Sequence, residues 1–288
     1  MMRKKPMLAY PVSDKPIDYT KPVFMQPKLD GVRCLIQYSV WHESPDKPRV
    51  MAYSRTGKEW KNIDHILQSL KPFFEANPNV ILDGELYNHA LRDDFEKIIS
   101  CVRKQKPTAV DRAESRKLVQ FHCYDIVDET LTFEKRNRFI QKHLLFKNYG
   151  VRAVQTTKGI CSNDQAKAIH QMNLETGYEG SILRTNDTYQ CKRSHSLRKF
   201  KDFHDAEAVL TDWVEGKGKR KGTIGKFMAI DADGNTFGMP VMDNFKKLQT
   251  MFKEMQGWVG QEATFTYFER TKANSYRHPL FKAIRNYE

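Results

Sequence analysis

Lys28-Leu29-Asp30-Gly31-Val32-Arg33 runs directly into Cys34-Leu35-Ile36-Gln37-Tyr38-Ser39-Val40. The second stretch is apolar and β-prone, and Asp30-Gly31 is a turn signal. Together they read as a lysine on a short loop between extended segments, with Gly31 permitting a turn that side chains disfavour. A lysine amine attacks an electrophile only when deprotonated, and its unperturbed pKa is about 10.4. Burial and neighbouring cations lower that value and make the amine a nucleophile. Taken alone, Lys-x-Asp-Gly-x-Arg also describes a surface β-turn with solvated charges.

The bulk composition narrows the choice. With 288 residues, 29% of them charged and 40% hydrophobic, the chain can build a sizeable core in two domains or one large one. Its formal net charge of +13 favours a polyanionic partner, nucleic acid or an anionic membrane. No run of 18 apolar residues exists, so no transmembrane helix is expected. The basic N-terminus lacks the apolar core of a secretory signal. No basic amphipathic helix offers an apolar face to a membrane, which leaves nucleic acid as the better partner. Cys34, Cys101, Cys123, Cys161 and Cys191 form no CxxC pair, a reducing-compartment pattern without a zinc site.

Along the chain, residues 1–22 read as an extended arm, and 23–40 and 50–54 as strands. Ile63 to Phe74 has helical spacing, with Pro72 placed to end it early. Asn79 to Tyr87 reads as strand, turn and strand around Asp83-Gly84. Asp93 to Lys104 is helical in pattern, Lys104 to Lys117 a mobile excursion, and Lys117 to Val127 a buried strand. Phe133 to Phe146 and Asp164 to Thr176 read as helices, the latter capped by Asn163 or Asp164 and stopped at Gly177. After Lys201 the chain changes to short strands at Ala206–Val214, Lys226–Asp231, Thr236–Pro240 and Ala263–Arg270. One helix, about Asn244 to Gln256, interrupts them. That pattern suits a small Greek-key barrel such as an OB-fold.

Further motifs follow the first. Ser54-Arg55-Thr56-Gly57-Lys58 closes a strand, as does Leu82-Asp83-Gly84-Glu85-Leu86. Phe121-His122-Cys123-Tyr124-Asp125-Ile126 and Glu179-Gly180-Ser181-Ile182-Leu183-Arg184 lie on two more. Leu197-Arg198-Lys199-Phe200-Lys201 ends the region. In order and rough spacing, this set resembles the six nucleotidyltransferase motifs of ATP-dependent DNA ligases, from about residue 7 to the chain end. The tail, with Arg277-His278-Pro279 and Arg285, looks like the ending of minimal two-domain, bacteriophage-like members.

The resemblance implies an α+β nucleotidyltransferase (ATP-grasp-like ligase) core of antiparallel sheets with flanking helices over residues 1–202. An OB-fold β-barrel would follow over 203–288. It implies an ATP-dependent DNA ligase that joins a 3′-hydroxyl to a 5′-phosphate in nicked duplex DNA, with Mg²⁺ or Mn²⁺. Such an enzyme serves DNA repair, replication and recombination, and is expected as a cytoplasmic monomer (in the host cytoplasm if phage-encoded). Protein partners are not indicated. Lys28 would take AMP covalently. Gln26, Lys28, Arg33, Glu85, Tyr124, Ile182, Lys199, Lys201 and Arg285 would bind ATP or AMP. Tyr124, where relatives commonly have Phe, and Ile182 would cover the two faces of adenine. Glu179 and Glu85 would hold the metal.

Lys199 and Lys201 alternate on the expected strand, so both would face the α-phosphate and act with Lys28. Arg33, Arg55 and Arg277 would contact the DNA, Arg55 at the nick 5′-phosphate, where a guanidinium fork suits the oxygens. The basic loop with Lys217, Lys219, Arg220 and Lys221 would meet the DNA backbone, giving affinity without sequence reading. An RNA ligase or an mRNA-capping nucleotidyltransferase shares the fold and stays open as an alternative. So does a catalytically silent DNA-end-binding relative, although Lys28, Glu85, Glu179, Lys199 and Lys201 are all present.

Overall fold

A computed structural model describes residues 4–39, 49–144, 150–201, 203–271 and 274–285. The expected segment ends at Val40 and Phe146 lie outside the described residues. The chain divides into two compact units, Met1–Phe200 and Lys201–Glu288.

Among the described residues, ten strands and five α-helices belong to the first unit. The strands are β1 (Leu8–Pro11), β2 (Val23–Lys28), β3 (Val32–Ser39), β4 (Arg49–Tyr53), β5 (Ile81–Tyr87), β6 (Gln120–Ile126), β7 (Val151–Ala153), β8 (Thr157–Lys158), β9 (Gly180–Thr185) and β10 (Arg193–Phe200). They form two five-stranded sheets in the orders β1-β10-β9-β2-β8 and β4-β3-β5-β6-β7. Pairing is antiparallel except for β1 with β10 and β6 with β7. The helices are α1 (Asp64–Ala76), α2 (Phe95–Val102), α3 (Ala109–Leu118), α4 (Phe133–Leu144) and α5 (Asn163–Glu175).

Each sheet turns one face to helices. Ile36, Leu82 and Phe121 of the second sheet pack with Ile66, Leu70 and Phe74 of α1, Ile98 of α2 and Ile140 of α4. Val23, Met25 and Leu183 of the first sheet pack with Ala166 of α5. Because strand side chains alternate, the opposite faces carry the polar residues between those apolar ones.

Several expectations are corrected. The Asp83-Gly84 pair is no turn: β5 runs straight through it, with a bulge in its pairing to β6. A Cβ on Gly84 would meet the Phe121 ring at 2.6 Å, so the glycine serves close packing. Pro72 lies inside α1. An interior proline costs about 3 kcal/mol, but burying Leu70, Phe73 and Phe74 returns roughly 1.5–3 kcal/mol each, so packing carries the helix on to Ala76. The supposed excursion contains α3, started by a capping box between Thr108 and Asp111. Ser162, rather than Asn163 or Asp164, caps α5. The N-terminal arm adds β1 to the edge of the first sheet.

In the second unit, strands β11 (His204–Glu215), β12 (Ile224–Ile230), β13 (Thr236–Pro240), β14 (Glu262–Tyr267) and β17 (Leu280–Ile284) form a sheet in the order β13-β12-β11-β14-β17. Between β14 and β17 lies a small ribbon of β15 (Glu269–Arg270) and β16 (Tyr276–Arg277). Helix α6 (Phe245–Glu254) contributes Leu248 and Met251 to a core with Phe227, Phe237 and Phe265. Register shifts along β11 are the bulges that curl such a sheet. The edge strands β13 and β17 approach each other, yet no ladder joins them among the described residues. Among the described residues the sheet is therefore curled without closing into the expected barrel.

Gly31 departs from its expected role, because it has no positive φ. A Cβ there would strike the Leu86 carbonyl oxygen and, at 2.6 Å, Glu85 Cγ. Gly31 is thus required by the approach of the turn to β5. Overpacking of this kind costs about 1–3 kcal/mol. Gly31→Ala should lower unfolding free energy by that amount, read as a lower urea midpoint at unchanged slope.

Candidate active site

Gln26 on β2 lies opposite Ile182 on β9, and Ile182 lies opposite Lys199 on β10. The three side chains form a row on one sheet face. Lys28, Arg184 and Leu197 stand two residues along and share that face. On the second sheet Arg33 opposes Glu85, with Tyr124 on the next strand. These residues line one cleft of about 260 Å³, with Leu8, Ala9 and Arg55. Arg55 sits exposed on the Ser54–Lys58 turn, which is held by Ser54 Oγ accepting from the amides of Gly57 (3.2 Å) and Lys58 (2.9 Å). A larger cleft of about 520 Å³ lies among Tyr38, Arg49, Trp60, Lys61 and Arg112, but no residue selected by the motifs lines it.

Lys28 ends β2 with its ammonium ion-paired to Glu179. Glu179 donates its own amide to the Lys28 carbonyl at 3.2 Å, which ties the start of β9 to the end of β2. The Lys28 side chain keeps 23% exposure while Glu179 keeps 5%, so the amine is reachable and its partner is shielded. Lys199 has its pKa lowered, first by burial and then by the neighbouring cations Lys28 and Arg193.

Across the cleft, burial pushes the Glu85 carboxyl up to about 7, against the pull of Arg33 and Lys28. Tyr124 donates to Glu85 at 3.2 Å, and burial raises its own phenol well above the ordinary value. Arg33 makes two bonds to Asp83, at 2.7 and 2.5 Å, and its guanidinium lies 5.3 Å from the Tyr124 ring centre. Burial works against that charge, but Asp83, Tyr124 and Tyr189 outweigh it and hold Arg33 well above its ordinary value. Asp83 also accepts from the Tyr189 hydroxyl at 2.7 Å.

Four further charged groups stand at the site beyond those the motifs select: Asp83, Asp125, Arg136 and Arg184. Asp83 anchors Arg33. Beneath the cleft, buried Asp125 pairs with Arg136 at 2.7 Å and with Arg184 at 2.6 Å. The missed signal is period two: Asp83 stands two residues from Glu85, and Arg184 two from Ile182.

Lys201 is a correction. Strand β10 ends at Phe200, one residue short of the expected alternation. The Lys201 ammonium lies 3.4 Å from the Phe268 ring centre, so the two lysines do not share a strand face. The other expected residues belong to the second unit. Lys217, Lys219, Arg220 and Lys221 are exposed on one loop. Arg277 bonds Glu269 at 2.5 Å, and Arg285 is ion-paired with Glu207 and lies 3.9 Å from Glu262.

For a divalent cation the cleft offers Glu85, with Glu179 behind Lys28 as the second carboxylate. Among the described residues no group of three or more His, Cys, Asp or Glu side chains could hold a metal. Hard carboxylate oxygens in ones and twos suit Mg²⁺, which takes its remaining ligands from water and substrate phosphates. No helix among the described residues is long and apolar enough to cross a membrane.

A family model for the ATP-dependent DNA ligase domain matches residues 6–201. A DNA ligase of African swine fever virus (isolate Pig/Kenya/KEN-50/1950) is 32% identical over 219 residues, 72% of this chain and 48% of the viral protein. The chain thus spans about half the length of that relative. The solved structure of a Lig E DNA ligase aligns with a TM-score of 0.75 at 23% identity, over 99% of this chain and 100% of that one. The ATP-dependent DNA ligase of bacteriophage T7, in complex with ATP, aligns at 0.53 and 16%, over 98% of each chain. These likenesses bear out the fold expected from the motifs.

Glu85 supplies a pH test. A carboxyl raised on folding favours the native state while protonated, and that advantage is lost as pH rises from about 4.5 through about 7. In EDTA, Glu85→Gln should gain stability relative to the parent over that interval. Urea midpoints at pH 5 and pH 8 read the difference, which should be larger at pH 8.

Proposed function

The chain belongs to the ATP-dependent DNA ligase family, and we propose that it seals 3′-hydroxyl/5′-phosphate nicks in duplex DNA through a lysyl-AMP intermediate. Residues 1–202 act as the adenylyltransferase domain and 203–288 as the OB-fold domain. The observation that carries the reading is the reachable Lys28 amine, paired with shielded Glu179 in a cleft that also holds Lys199 and Arg55.

In the first step Lys28 Nζ attacks the α-phosphorus of ATP. The N–P bond forms, the α–β bridging bond breaks and pyrophosphate leaves. The amine must give up a proton, and Glu179 is the carboxylate in contact with it. Lys199 shares the sheet face and offsets charge developing on the α-phosphate. Tyr124 and Ile182, on opposite walls of the cleft, flank the base. In the second step a 5′-phosphate oxygen of the nick attacks the same phosphorus, and Lys28 leaves. Arg55 is placed to grip that 5′-phosphate. In the third, the 3′-hydroxyl attacks the 5′-phosphorus and AMP leaves with the bridging oxygen. A bound Mg²⁺ or Mn²⁺ would screen phosphate charge, held by Glu85 and Glu179.

Incubation with α-labelled ATP and Mg²⁺ should leave label on the denatured parent. A chase with nicked duplex DNA should remove it as sealed DNA and free AMP appear. Lys28→Ala, folded by circular dichroism, should carry no label. A labelled K28A protein would end this assignment of the nucleophile, and discharge by nicked RNA alone would move the substrate to RNA.

The basic loop gives a separate outcome. Each neutralised phosphate contributes about −0.9 to the slope of log affinity against log salt. Replacing Lys217, Lys219, Arg220 and Lys221 with Ala should make the slope for nicked DNA less negative by about that much for every phosphate the loop neutralises. Weaker affinity with an unchanged slope would remove the loop from the interface.

A further inference from the structure

Gln26 is 2% exposed yet lines the cleft. Its Nε2 donates to the Tyr124 carbonyl oxygen at 3.2 Å and to Thr156 Oγ1 at 3.0 Å. Its Oε1 accepts from Arg184 Nε at 2.8 Å. A side-chain amide has two N–H donors and two carbonyl lone pairs. Both donors are used among the described residues, so the remaining capacity is one lone pair on Oε1.

That orientation is set from three sides. Arginine can only donate, and a main-chain carbonyl can only accept. Turning the amide over would face NH₂ to Arg184 and Oε1 to the Tyr124 carbonyl, leaving buried groups without partners. Thr156 donates its hydroxyl to Asn137 Oδ1 at 3.0 Å, which leaves its oxygen to accept from Gln26. Arg184 is itself fixed, because its Nη1 donates to buried Asp125 at 2.6 Å. Arg136 holds the same carboxylate through bonds of 2.7 and 3.2 Å.

We infer that Arg184 is a positioning residue for base selection. By locking the Gln26 amide it makes the cleft offer a hydrogen-bond acceptor, and no donor, to the edge of the base. A purine with a 6-amino group then bonds Gln26, while a 6-oxo purine sets its carbonyl oxygen against Oε1. The inference rests on the nucleotidyl transfer proposed for this cleft.

Enzyme–nucleotide formation is to be measured with ATP, with inosine triphosphate and with purine riboside triphosphate, which has no 6-substituent. In the parent, ATP should exceed purine riboside triphosphate by about tenfold, the worth of one hydrogen bond. Inosine triphosphate should fall about a hundredfold below ATP, because an unmatched polar pair adds to that loss. Arg184→Lys keeps a cation for Asp125 but gives up the planar fork that also reaches Gln26. Its preference for ATP over inosine triphosphate should drop by about tenfold. Adding Gln26→Glu should restore the preference, since a carboxylate presents only acceptors to the base in either rotation, at a loss of stability because an oxygen then faces the Tyr124 carbonyl; a merely structural Arg184 predicts no such rescue. Should R184K fold poorly, Thr156→Val frees one Nε2 donor and should weaken the preference by itself. Equal labelling of the parent by ATP and inosine triphosphate, or an unchanged preference in R184K and T156V, would overturn the inference while nucleotidyl transfer stood. No label from any triphosphate would overturn the proposed function, and the inference with it.

Discussion

Asp125 has no solvent exposure and shares its carboxylate between Arg136 and Arg184. Asp125 belongs to the second sheet of the first unit and Arg184 to the first sheet, so their bond ties the two together beneath the cleft. Gln26 makes a second tie by donating to the Tyr124 carbonyl across the same gap. Removing one partner of such a buried pair leaves an uncompensated charge, at about 3–5 kcal/mol. A neutral packing contact would resist a shift of the sheets far less. The two larger apolar cores lie on the far face of each sheet, so on the cleft side this charged joint acts beside only small apolar clusters, such as Met7, Tyr189 and Leu197 with Ile182 and Val127, in setting the separation of the two walls.

The charges that line the cleft are paired with one another, and the pairs differ in how readily they exchange. Arg33 is held to Asp83 by two bonds, with Asp83 at 1% exposure and further bonded to Tyr189. A phosphate could displace that carboxylate only by leaving it buried without its cation. Lys28 has a single ammonium and an open side toward the cleft. An incoming triphosphate can therefore take over as its ion-pair partner, and the lysine carries no rigid fork to rebuild. The same contrast separates roles within the proposed reaction: Arg33 shapes the wall beside Tyr124, and Lys28 moves onto phosphorus.

How much of this could be read beforehand depends on which interactions act locally. Gln26 and Lys28 follow from period two along β2 and both line the cleft, whereas Ile182 and Lys199 meet as partners across β9 and β10. The same rule would have selected Asp83 beside Glu85 and Arg184 beside Ile182, but a charged residue in an apolar run gives no sign of its partner. Arg136 lies eleven residues from Asp125 and on a helix, so only the folded chain shows that they meet. Helix α3 was legible from Thr108-x-x-Asp111, a capping box; its low apolar content concealed it. Pro72 misled for the opposite reason: a local penalty near about 3 kcal/mol is visible in sequence, whereas the burial that outweighs it is tertiary. Lys201 shows the limit of alternation, because a strand's end is set by its neighbours' hydrogen bonds and not by its own residues.

The cations of the second unit divide by their partners, and that division bears on how such a surface meets a polyanion. Arg277 bonds Glu269, Lys282 bonds Asp205 at 2.6 Å, and Arg285 pairs with Glu207. A phosphate that recruited any of these would have to compete with a carboxylate already in place. No ion pair joins Lys217, Lys219, Arg220 or Lys221 to an acid among the described residues. The nearby acid, Glu215, accepts from the Gly222 amide at 2.7 Å and braces the loop. Release of condensed counterions favours cations free to neutralise phosphate, so the loop can bind a backbone without first breaking internal pairs. Arg277 and Arg285 are instead suited to contacts formed only when a competing phosphate is brought close enough to displace their carboxylates.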